Sequence, residues 1–340
     1  MRVLIIKLGA IGDVIRTTAI LHGLKEKYKN CAVDWITKKD SYGILKNNNF
    51  IDRIFLIDNN TKNKIKGNEY DLVISLDDEN GACKLASETA HKKIIGAYLD
   101  NEKRRYTENS SLWFDMGLIS KFGKKKADEL KAKNKKTYQA IMYKILDLKY
   151  NKQEPTLKLN EDELRFGEEF AKKNDINEKD LVIGINTGAG GRWREKKLSV
   201  QETAELIDKI NKEMKANDKD IKLLLFGGPE EKERNGKIKN SIKTQIIDAG
   251  CDNSLMEFAS LVNLCKILVT SDSLAMHIGI ALKKKIVCFF APTSPAEIEL
   301  YSRGIKIIPK KGCVCCYKPK CDIAPEWDID EFISAVKTLA

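Results

Sequence analysis

The sequence lacks long apolar runs. Its uninterrupted hydrophobic stretches are short, as at residues 286–291, whereas a membrane-spanning helix needs about 20 predominantly apolar residues. The N-terminus also lacks the pattern of a secretory signal, because Arg2 and Lys7 flank only the short strand-like run 3–6. These two absences predict a cytoplasmic protein without a membrane-spanning segment.

Glycine-rich nucleotide fingerprints are missing as well. The turn 7–13 contains Gly9 and Gly12, but it has neither the G-x-G-x-x-G order of dinucleotide binders nor the G-K-[ST] ending of a phosphate-binding loop. A nucleotide-sugar epimerase or dehydrogenase requires the first of these. The sequence therefore disfavours a dinucleotide-dependent enzyme.

Paired zinc-binding knuckles are also lacking among the nine cysteines. Five lie singly in apolar patterns and are expected to be buried, reduced thiols: Cys31, Cys83, Cys251, Cys265 and Cys288. The others fall within nine residues, without the second C-x2-4-C pair that structural zinc sites usually have: Cys313, Cys315, Cys316 and Cys321. The spacing leaves a metal site, a disulfide and free thiols open, and we assign no metal ligand from it.

Basic residues outnumber acidic ones, 60 to 49, for a net charge of +11. Between residues 121 and 136, eight lysines face only Asp128 and Glu129. No aromatic residue alternates with these lysines, so nucleic acid is not an expected partner. The run is consistent with phosphates, with an anionic membrane surface, or with an ordinary solvated surface.

At 340 residues the chain exceeds the ~250 to 300 residues at which a single core stops growing, so two domains are expected. Apolar runs alternate with helical patterns, which is typical of parallel sheets. Predicted strands of the first half are 3–6, 32–36, 53–57, 72–76 and 93–96. Those of the second half are 181–185, 222–226, 245–247, 267–270 and 286–290, with helices at 200–215, 230–240, 255–263 and 274–282. The polar stretch 174–180 is the predicted linker.

Two short stretches follow predicted strands and open helical patterns. Open parallel sheets bind ligands beyond the carboxyl ends of their strands, where helix N-termini direct N–H groups at phosphates. Residues 7–13 and 270–277 both lie at such ends. We expect them to form two walls of one cleft.

Asp13, Asp272 and His277 are the chemical candidates in these stretches. Asp is a favoured N-cap, and the amphipathic pattern 14–28 needs a cap, so a capping role and a catalytic role are both open for Asp13. The same alternatives apply to Asp272. His277 lies one helical turn beyond Ser273 and shares its face, although taken alone it also fits a core or surface histidine.

This combination resembles glycosyltransferase family 9, the bacterial heptosyltransferases of lipopolysaccharide core assembly. The start of the chain is similar to the family's strand and loop ending in Gly-Asp, here Gly12-Asp13. Residues 272–277 and 291–295 are similar to its Asp-[Ser/Thr]-Gly-x-x-His and Gly-Pro-Thr-Ser-Pro motifs. Leu274 and Ala291 replace two of the motif glycines, and the branched side chain of Leu274 narrows the approach of a diphosphate. These departures leave the identity of the donor open.

Two further segments gain roles from the resemblance. The loop 186–197 is similar to a family segment that contributes a phosphate-binding lysine, for which Lys196 is the first candidate and Lys197 the second. Glu230 corresponds to an acidic residue near the nucleotide ribose, where a carboxylate accepts hydrogen bonds from both hydroxyls. The implied donor-binding residues are Thr187, Lys196, Glu230, Asp272, Ser273, Leu274 and His277, and the implied acceptor-binding residues are Gly12, Arg104 and Arg105.

The resemblance implies the GT-B architecture, two facing doubly wound α/β domains. Residues 1–175 would bind the acceptor, residues 176–327 the nucleotide sugar, and a C-terminal helix at 328–340 would pack back across the domain boundary. The implied reaction is an inverting displacement without a metal ion or another cofactor, in which Asp13 accepts the proton of the acceptor hydroxyl. Lys196, the helix beginning at Ser273 and His277 would stabilise the leaving diphosphate.

The implied substrates are a nucleotide sugar, with ADP-heptose first among the donors, and an acidic glycolipid of lipopolysaccharide-core type at the inner membrane face. Lys103, Arg104, Arg105 and the run 121–136 then predict peripheral association with anionic membrane. The alternatives are transfer of another nucleotide-activated sugar to a different surface glycan and, from another class, a non-catalytic nucleotide- or anion-binding protein.

Overall fold

The computed structural model describes residues 1–58, 60–191, 194–216, 220–318 and 320–340. These residues form two compact units. Unit 1 comprises Met1–Lys158 and Ala296–Glu299, and unit 2 comprises Leu159–Pro295 and Leu300–Ala340. Each unit is built on a six-stranded sheet of its own.

The sheet of unit 1 has the strand order β3-β2-β1-β4-β5-β6. Neighbouring strands are parallel except for β5 and β6, which pair antiparallel at one edge. The central strand is apolar and buried over residues 3–6, as expected where helices cover both faces of a sheet. The strands are β1 (Arg2–Ile6), β2 (Ala32–Thr37), β3 (Arg53–Leu56), β4 (Leu72–Ser75), β5 (Ile94–Asp100) and β6 (Lys103–Tyr106).

The helices of unit 1 are mostly short. Short 3-10 turns occur at Lys39–Ser41 and Glu108–Ser110. The α-helices are α1 (Ile11–Thr17), α2 (Ile20–Lys27), α3 (Tyr42–Leu45), α4 (Thr61–Ile65), α5 (Asn80–Glu88), α6 (Ser111–Phe114), α7 (Gly123–Lys133) and α8 (Tyr138–Ile145).

The sheet of unit 2 is parallel throughout, with the order β12-β11-β10-β7-β8-β9. Its strands are β7 (Leu181–Asn186), β8 (Ile221–Phe226), β9 (Ile247–Asp248), β10 (Ile267–Ser271), β11 (Lys285–Phe289) and β12 (Gly304–Ile307). The helices are α9 (Glu161–Lys173), α10 (Val200–Lys215), α11 (Lys232–Ser241), α12 (Leu255–Leu264), α13 (Leu274–Ala281) and α14 (Ile329–Leu339), with 3-10 turns at Arg194–Lys196 and Pro229–Glu231. A further 3-10 turn, Pro295–Glu297, begins at the last residue of a unit 2 segment and continues into the unit 1 segment Ala296–Glu299.

Nine of the ten predicted strands are present close to their predicted bounds, and the tenth, predicted at 245–247, is displaced to β9, Ile247–Asp248. Strands β6 and β12 were not predicted from the sequence. The single helix expected over 14–28 is wrong, because α1 and α2 are separate helices. Thr17 and Thr18 interrupt them, since their hydroxyls bond to the carbonyl oxygens of Asp13 and Ile15 and so compete with helical hydrogen bonding. None of the helices in the described residues has the length and hydropathy needed to cross a membrane.

The two units divide the chain differently from the predicted boundary at 175/176. Helix α9 belongs to unit 2, because it packs on α12: Gly167 lies against Ser260, whose hydroxyl donates to the carbonyl oxygen of Glu163. The C-terminal helix α14 also packs inside unit 2, where Phe332 and Val336 join the core formed with α10 and the sheet. The expectation that this helix crosses the boundary is therefore corrected.

Candidate active site

The site residues of unit 1 gather at the carboxyl ends of β1 and β4. These strands pair in parallel with Ile6 opposite Ser75, so Lys7 and Asp77, which follow them, become neighbours. Lys7 Nζ lies 2.5 Å from Asp77 Oδ1, and both side chains are buried. The other carboxylate oxygen of Asp77 accepts from the N–H groups of Leu8 and Gly9. This buried pair therefore fixes the turn that leads to Asp13.

The Lys7 ammonium stays charged in this setting. Burial alone would lower the pKa of Lys7, but the charges of Asp77 and Asp13 and the hydrogen bond to Asp77 raise it above its usual value. Gly9 makes the arrangement possible, because a Cβ atom there would lie 2.9 Å from both Asp77 Oδ1 and Lys7 Nζ. The glycine in this turn thus permits a close approach of backbone to ion pair.

Asp13 does not cap its helix. Helix α1 begins at Ile11 after the N-cap Ala10, which places Asp13 at the third helical position. The capping role considered for Asp13 is therefore wrong, because the helix begins at Ile11, three residues earlier than the sequence pattern suggested. The Asp13 side chain is 34% exposed, and its Oδ1 lies 2.8 Å from Nη2 of Arg16. The carboxylate is thus held by Arg16 and remains accessible to solvent.

Arg16 is itself fixed on several sides. Its guanidinium is 12% exposed and lies 3.5 Å from Glu297 Oε2. It also stacks over the rings of Tyr138, at 4.0 Å from the centroid, and Trp113, at 5.5 Å. An arginine held between two rings and two carboxylates gives Asp13 a defined orientation.

The predicted acceptor-binding residues are not gathered in one place. Gly12 is buried in α1. Arg104 and Arg105 are exposed on edge strand β6, where successive side chains point to opposite faces. Arg104 Nη1 donates to the carbonyl oxygen of Asp78 at 2.8 Å, whereas Arg105 pairs with Asp100 at 2.8 Å. Arg104 therefore contacts the loop after β4 that contains Asp77, whereas Arg105 does not.

The site residues of unit 2 gather where β10 ends and α13 begins. Lys196 reaches this point from the loop after β7. Its Nζ lies 2.8 Å from the carbonyl oxygen of Asp272 and 3.0 Å from Oδ2 of the same residue. His277 Nε2 lies 3.9 Å from Asp272 Oδ1. Asp272 is not a helix cap, since Ser273 holds that position, so the capping role considered for it is also wrong.

The Asp272 carboxylate is stabilised as an anion. Its burial would raise the pKa of Asp272, but the charges of Lys196 and His277 and hydrogen bonds from Thr293 and Lys196 lower it below the usual value. Asp272, Lys196, His277 and Thr293 therefore form one connected polar cluster. The cluster combines two cationic or titratable groups with a single carboxylate.

The N-terminus of α13 lies within a hydrogen-bonded frame. Asn186 Nδ2 lies 2.8 Å from the carbonyl oxygen of Gly188 and 3.1 Å from Thr270 Oγ1, and Thr270 in turn lies 3.0 Å from Ser273 Oγ. Ser273 makes no side-chain cap bond, and the partly exposed Leu274 is the first helical residue. The first N–H groups of such a helix, together with Lys196, are suited to a phosphate group.

The other predicted donor-site residues differ in their exposure to solvent. The Thr187 hydroxyl is buried and bonds to Asn235 and to the Phe226 carbonyl oxygen, so it supports the loop from inside. Glu230 is exposed, as a ribose-binding carboxylate must be.

The neighbouring Glu231 is buried, and Lys197 Nζ lies 2.5 Å from its Oε1 atom. Both lysines are paired with a carboxylate, but only Lys196 lies at the start of α13, which favours it as the phosphate-binding candidate. Arg192 and Trp193 of the same loop lie outside the described residues.

Sequence reasoning missed several site residues that the structure brings in. They are Asp77, Arg16, Glu231, Asn186 and Thr293. Asp77 carried a usable signal, because it follows the predicted strand 72–76 just as Asp13 and Asp272 follow other strands. Asn186 and Thr293 lie within the segments 186–197 and 291–295 that the family resemblance singled out, although their partners are distant in the sequence. Arg16 lies one helical turn after Asp13, and Glu231 pairs with the distant Lys197.

Two doubly wound α/β units, each on its own six-stranded sheet, define the GT-B class of fold. The sequence profile of "Glycosyltransferase family 9 (heptosyltransferase)" matches residues 60–325, and the chain belongs to this family. Among curated proteins, lipopolysaccharide heptosyltransferase 2 of Escherichia coli K12 is 29% identical over 96 residues. That alignment spans 27% of this chain and 27% of the relative.

Solved structures are similar over the whole chain. A family 9 glycosyl transferase from Veillonella parvula superposes with a TM-score of 0.79 at 19% identity, covering 99% of this chain and 96% of that one. The E. coli ADP-heptose LPS heptosyltransferase II gives 0.69 at 16% identity, covering 100% and 98%. E. coli heptosyltransferase WaaC, solved with ADP-2-deoxy-2-fluoro heptose, gives 0.65 at 14% identity and covers all of both chains. These similarities confirm the predicted fold class.

Proposed function

We propose that the protein transfers heptose from ADP-heptose to an acceptor of lipopolysaccharide-core type, with inversion at the anomeric carbon and without a metal ion in the transfer step. The observation that carries the proposal is the cluster of Lys196, Asp272 and His277 at the start of α13, in a chain of the heptosyltransferase family. Two E. coli relatives of similar fold have ADP-heptose or an ADP-heptose analogue in their names, which supports the choice of donor.

In the proposed reaction, Asp13 is the general base. Its carboxylate accepts the proton of an acceptor hydroxyl while that oxygen bonds to the anomeric carbon of the donor sugar. The bond from this carbon to the diphosphate oxygen breaks at the same time, and its electron pair leaves with ADP. Arg16 holds the Asp13 carboxylate at 2.8 Å, so the base is oriented before substrate arrives.

Unit 2 supplies the groups for the leaving ADP. Lys196 and the N–H groups at the start of α13 would meet the diphosphate as its negative charge grows. These fixed positive groups perform the role that a divalent cation performs in other transferases. The exposed carboxylate of Glu230 is placed to accept hydrogen bonds from ribose hydroxyls.

The acceptor side of the proposal places the protein at the cytoplasmic face of an anionic membrane. Helix α7 and its flanks carry the eight lysines of the run 121–136, of which all but Lys131 are exposed. Leu118 and Phe122 are 83% and 54% exposed just before this helix. Exposed apolar side chains beside lysines are typical of a surface that binds lipid headgroups.

The test is a transfer assay with purified protein, an acidic core-type glycolipid and several nucleotide sugars. We expect mass spectrometry to show addition of one heptose from ADP-heptose, with Mg²⁺ and Mn²⁺ making no difference to the rate. A thermal-shift screen provides the matching binding readout, because a ligand at 100 times its dissociation constant adds about 2.7 kcal/mol of stability. ADP should stabilise the protein more than UDP or GDP.

Each alternative has its own outcome in these assays. Transfer from another nucleotide sugar, with preference for its base in the thermal screen, would replace heptose as the donor. ADP binding without turnover on any acceptor would indicate a non-catalytic nucleotide-binding protein. A uniform response across all nucleotides would contradict the assigned donor site.

A further inference from the structure

A cysteine cluster lies outside the candidate active site, in the loop between β12 and α14. The Sγ atoms of Cys313, Cys316 and Cys321 all lie within 4.8 Å of one another. Cys321 is buried and the other two are partly exposed. A pair of hydrogen bonds between Lys310 or Lys311 and Glu326 closes the base of this loop. The cluster is therefore a compact group of three thiols on an anchored loop.

One pair of sulfur atoms has the separation found between metal-bound thiolates. In a tetrahedral site with Zn–S bonds of about 2.3 Å, two sulfur atoms are about 3.8 Å apart. Cys316 Sγ and Cys321 Sγ are 3.7 Å apart. In the described residues no other group of three or more His, Cys, Asp or Glu side chains converges in this way. The structure thus supplies the geometric argument that the C-x2-C-x4-C spacing alone did not.

Groups around the sulfurs are suited to a negatively charged metal centre. The backbone N–H groups of Ile323 and Asp322 donate to the Cys313 sulfur. Lys318 also lies on this loop, where its ammonium pairs with the carboxylate of Asp322. Three thiolates and one divalent cation carry a net charge of −1, which such N–H groups and a nearby lysine stabilise.

We propose that Cys313, Cys316 and Cys321 bind one thiophilic divalent cation, Zn²⁺ or Fe²⁺, through three thiolates. Binding displaces the three thiol protons to solvent and forms three metal–sulfur bonds. The fourth coordination position is left for water or another exogenous ligand. This site is separate from the transfer step, so the proposal does not depend on the proposed function.

The loop that carries the three cysteines, residues 313–321, is hydrogen-bonded to the segment 291–294 next to the active-site cluster of unit 2. The N–H of Cys315 donates to the Ala291 carbonyl oxygen at 3.1 Å, and that of Tyr317 donates to the Pro292 carbonyl oxygen at 2.8 Å. Tyr317 Oη accepts from the N–H of Ser294 at 3.2 Å. Thr293, between these residues, is buried and is one of the groups that lower the pKa of the Asp272 carboxylate. The metal would therefore hold the segment that positions Thr293 against Asp272.

Metal content of the full-length protein tests the proposal. Protein purified without chelator and then supplied with Zn²⁺, Fe²⁺ or Cd²⁺ under reducing, anaerobic conditions should retain about one ion per chain after desalting. Cd²⁺ should also produce the ultraviolet absorption of cadmium thiolates. The variants Cys313→Ser, Cys316→Ser and Cys321→Ser should each lower retention at least tenfold. Cys315→Ser is the matched control, because it changes the same loop outside the sulfur triangle, and it should retain the ion.

A second readout uses the unmodified chain, so it does not depend on how well the variants fold. The three thiols should react slowly with a thiol reagent when the protein is loaded, and rapidly after a strong chelator is added. Absence of any retained ion in the wild-type protein would overturn the proposal, as would equal thiol reactivity with and without metal. Loss of the ion in Cys315→Ser, with retention in the other variants, would contradict the assigned ligands. A Cys316–Cys321 disulfide in anaerobically purified protein would replace the metal site with a covalent bridge.

Discussion

Lys196 donates to two oxygens of the same residue, the carbonyl oxygen and the carboxylate of Asp272, at 2.8 Å and 3.0 Å. The lysine is thereby anchored at the end of β10, next to the first turn of α13. The Lys196 side chain is 11% exposed and the Asp272 side chain 15%, so solvent screens the pair only weakly. A diphosphate at this helix would gain a cation already in position.

Replacing Lys196 by Met should abolish most of the thermal stabilisation by ADP. It should also lower the free energy of unfolding by about 3 kcal/mol, because removing one partner of a buried pair leaves the other charge uncompensated. Urea unfolding and a thermal-shift titration measure the two effects. Lys212→Met, on the exposed side of α10, is the control and should change neither quantity. An undiminished ADP response in Lys196→Met would remove this lysine from the donor site.

The lowered pKa of Asp272 predicts an acid-side loss of stability. The unfolded chain binds a proton at the ordinary Asp value, about 3.9, whereas the folded state does so only at lower pH. The stabilisation is therefore complete well above pH 4 and is lost as pH falls through the folded pKa. In urea unfolding from pH 6 to pH 3, the stability difference between wild type and Asp272→Asn should shrink below about pH 4. A difference that stays constant over this range would contradict the assignment.

Asp13→Asn tests the general base. The substitution keeps the size of the side chain and removes its capacity to accept a proton, so transfer should slow at least ~100-fold while folding and ADP binding stay normal. Initial rates with saturating donor and acceptor measure the effect, and the ADP thermal shift is the control. Full activity in Asp13→Asn would exclude this residue from the mechanism.

Arg16→Met tests whether the arginine acts through Asp13. The guanidinium contacts the carboxylate at 2.8 Å, so its loss should lower kcat and leave the donor KM nearly unchanged. The double variant Asp13→Asn/Arg16→Met should be little slower than Asp13→Asn alone, because residues that act as a unit are not additive. If the two losses multiply, Arg16 acts independently of Asp13.

Membrane association predicts a charge-dependent flotation with vesicles. At low salt the protein should float with vesicles containing anionic lipid and not with neutral ones, because each well-placed basic residue contributes roughly 1 kcal/mol of attraction to the membrane. Raising the salt screens this attraction and should release the protein. The triple variant Lys124→Glu, Lys125→Glu and Lys126→Glu should lose most of the binding. Lys232→Glu, Lys237→Glu and Lys239→Glu, on α11, make the same change in net charge and serve as the control. No flotation of the wild type at low salt would defeat the proposal.

The strands were predictable because a buried strand requires a continuous run of apolar residues in the sequence. Runs such as 3–6 and 267–269 are apolar and buried over their whole length, since both faces of a parallel sheet are covered. Strand β6, Lys103–Tyr106, carries three exposed basic residues and pairs only at an edge, so it has no apolar run to reveal it. The same rule that found the strands also located Asp13 and Asp272 at their carboxyl ends.

Side-chain partners were less predictable than side-chain positions. Glu230 and Glu231 are adjacent and chemically alike, yet one is exposed and the other is buried against Lys197. Asp13 was considered as a helix cap, and only the start of α1 at Ile11 shows that it is not. The residue at which a short helix or turn begins decides such cases, and a shift of one to three residues reverses them.

By itself, the sequence determined the two-unit α/β organisation and the succession of buried strands along the chain. It also indicated the strand ends at which charged residues cluster. Hydrophobic periodicity and glycine-containing turns show these features because they act over a few neighbouring residues. Only the tertiary structure decided that Lys7 pairs with Asp77, that Lys196 reaches Asp272, and that three cysteine sulfurs converge. Those contacts depend on which strands are neighbours, on their register and on how loops return to the sheet, and these are set by packing of the whole unit.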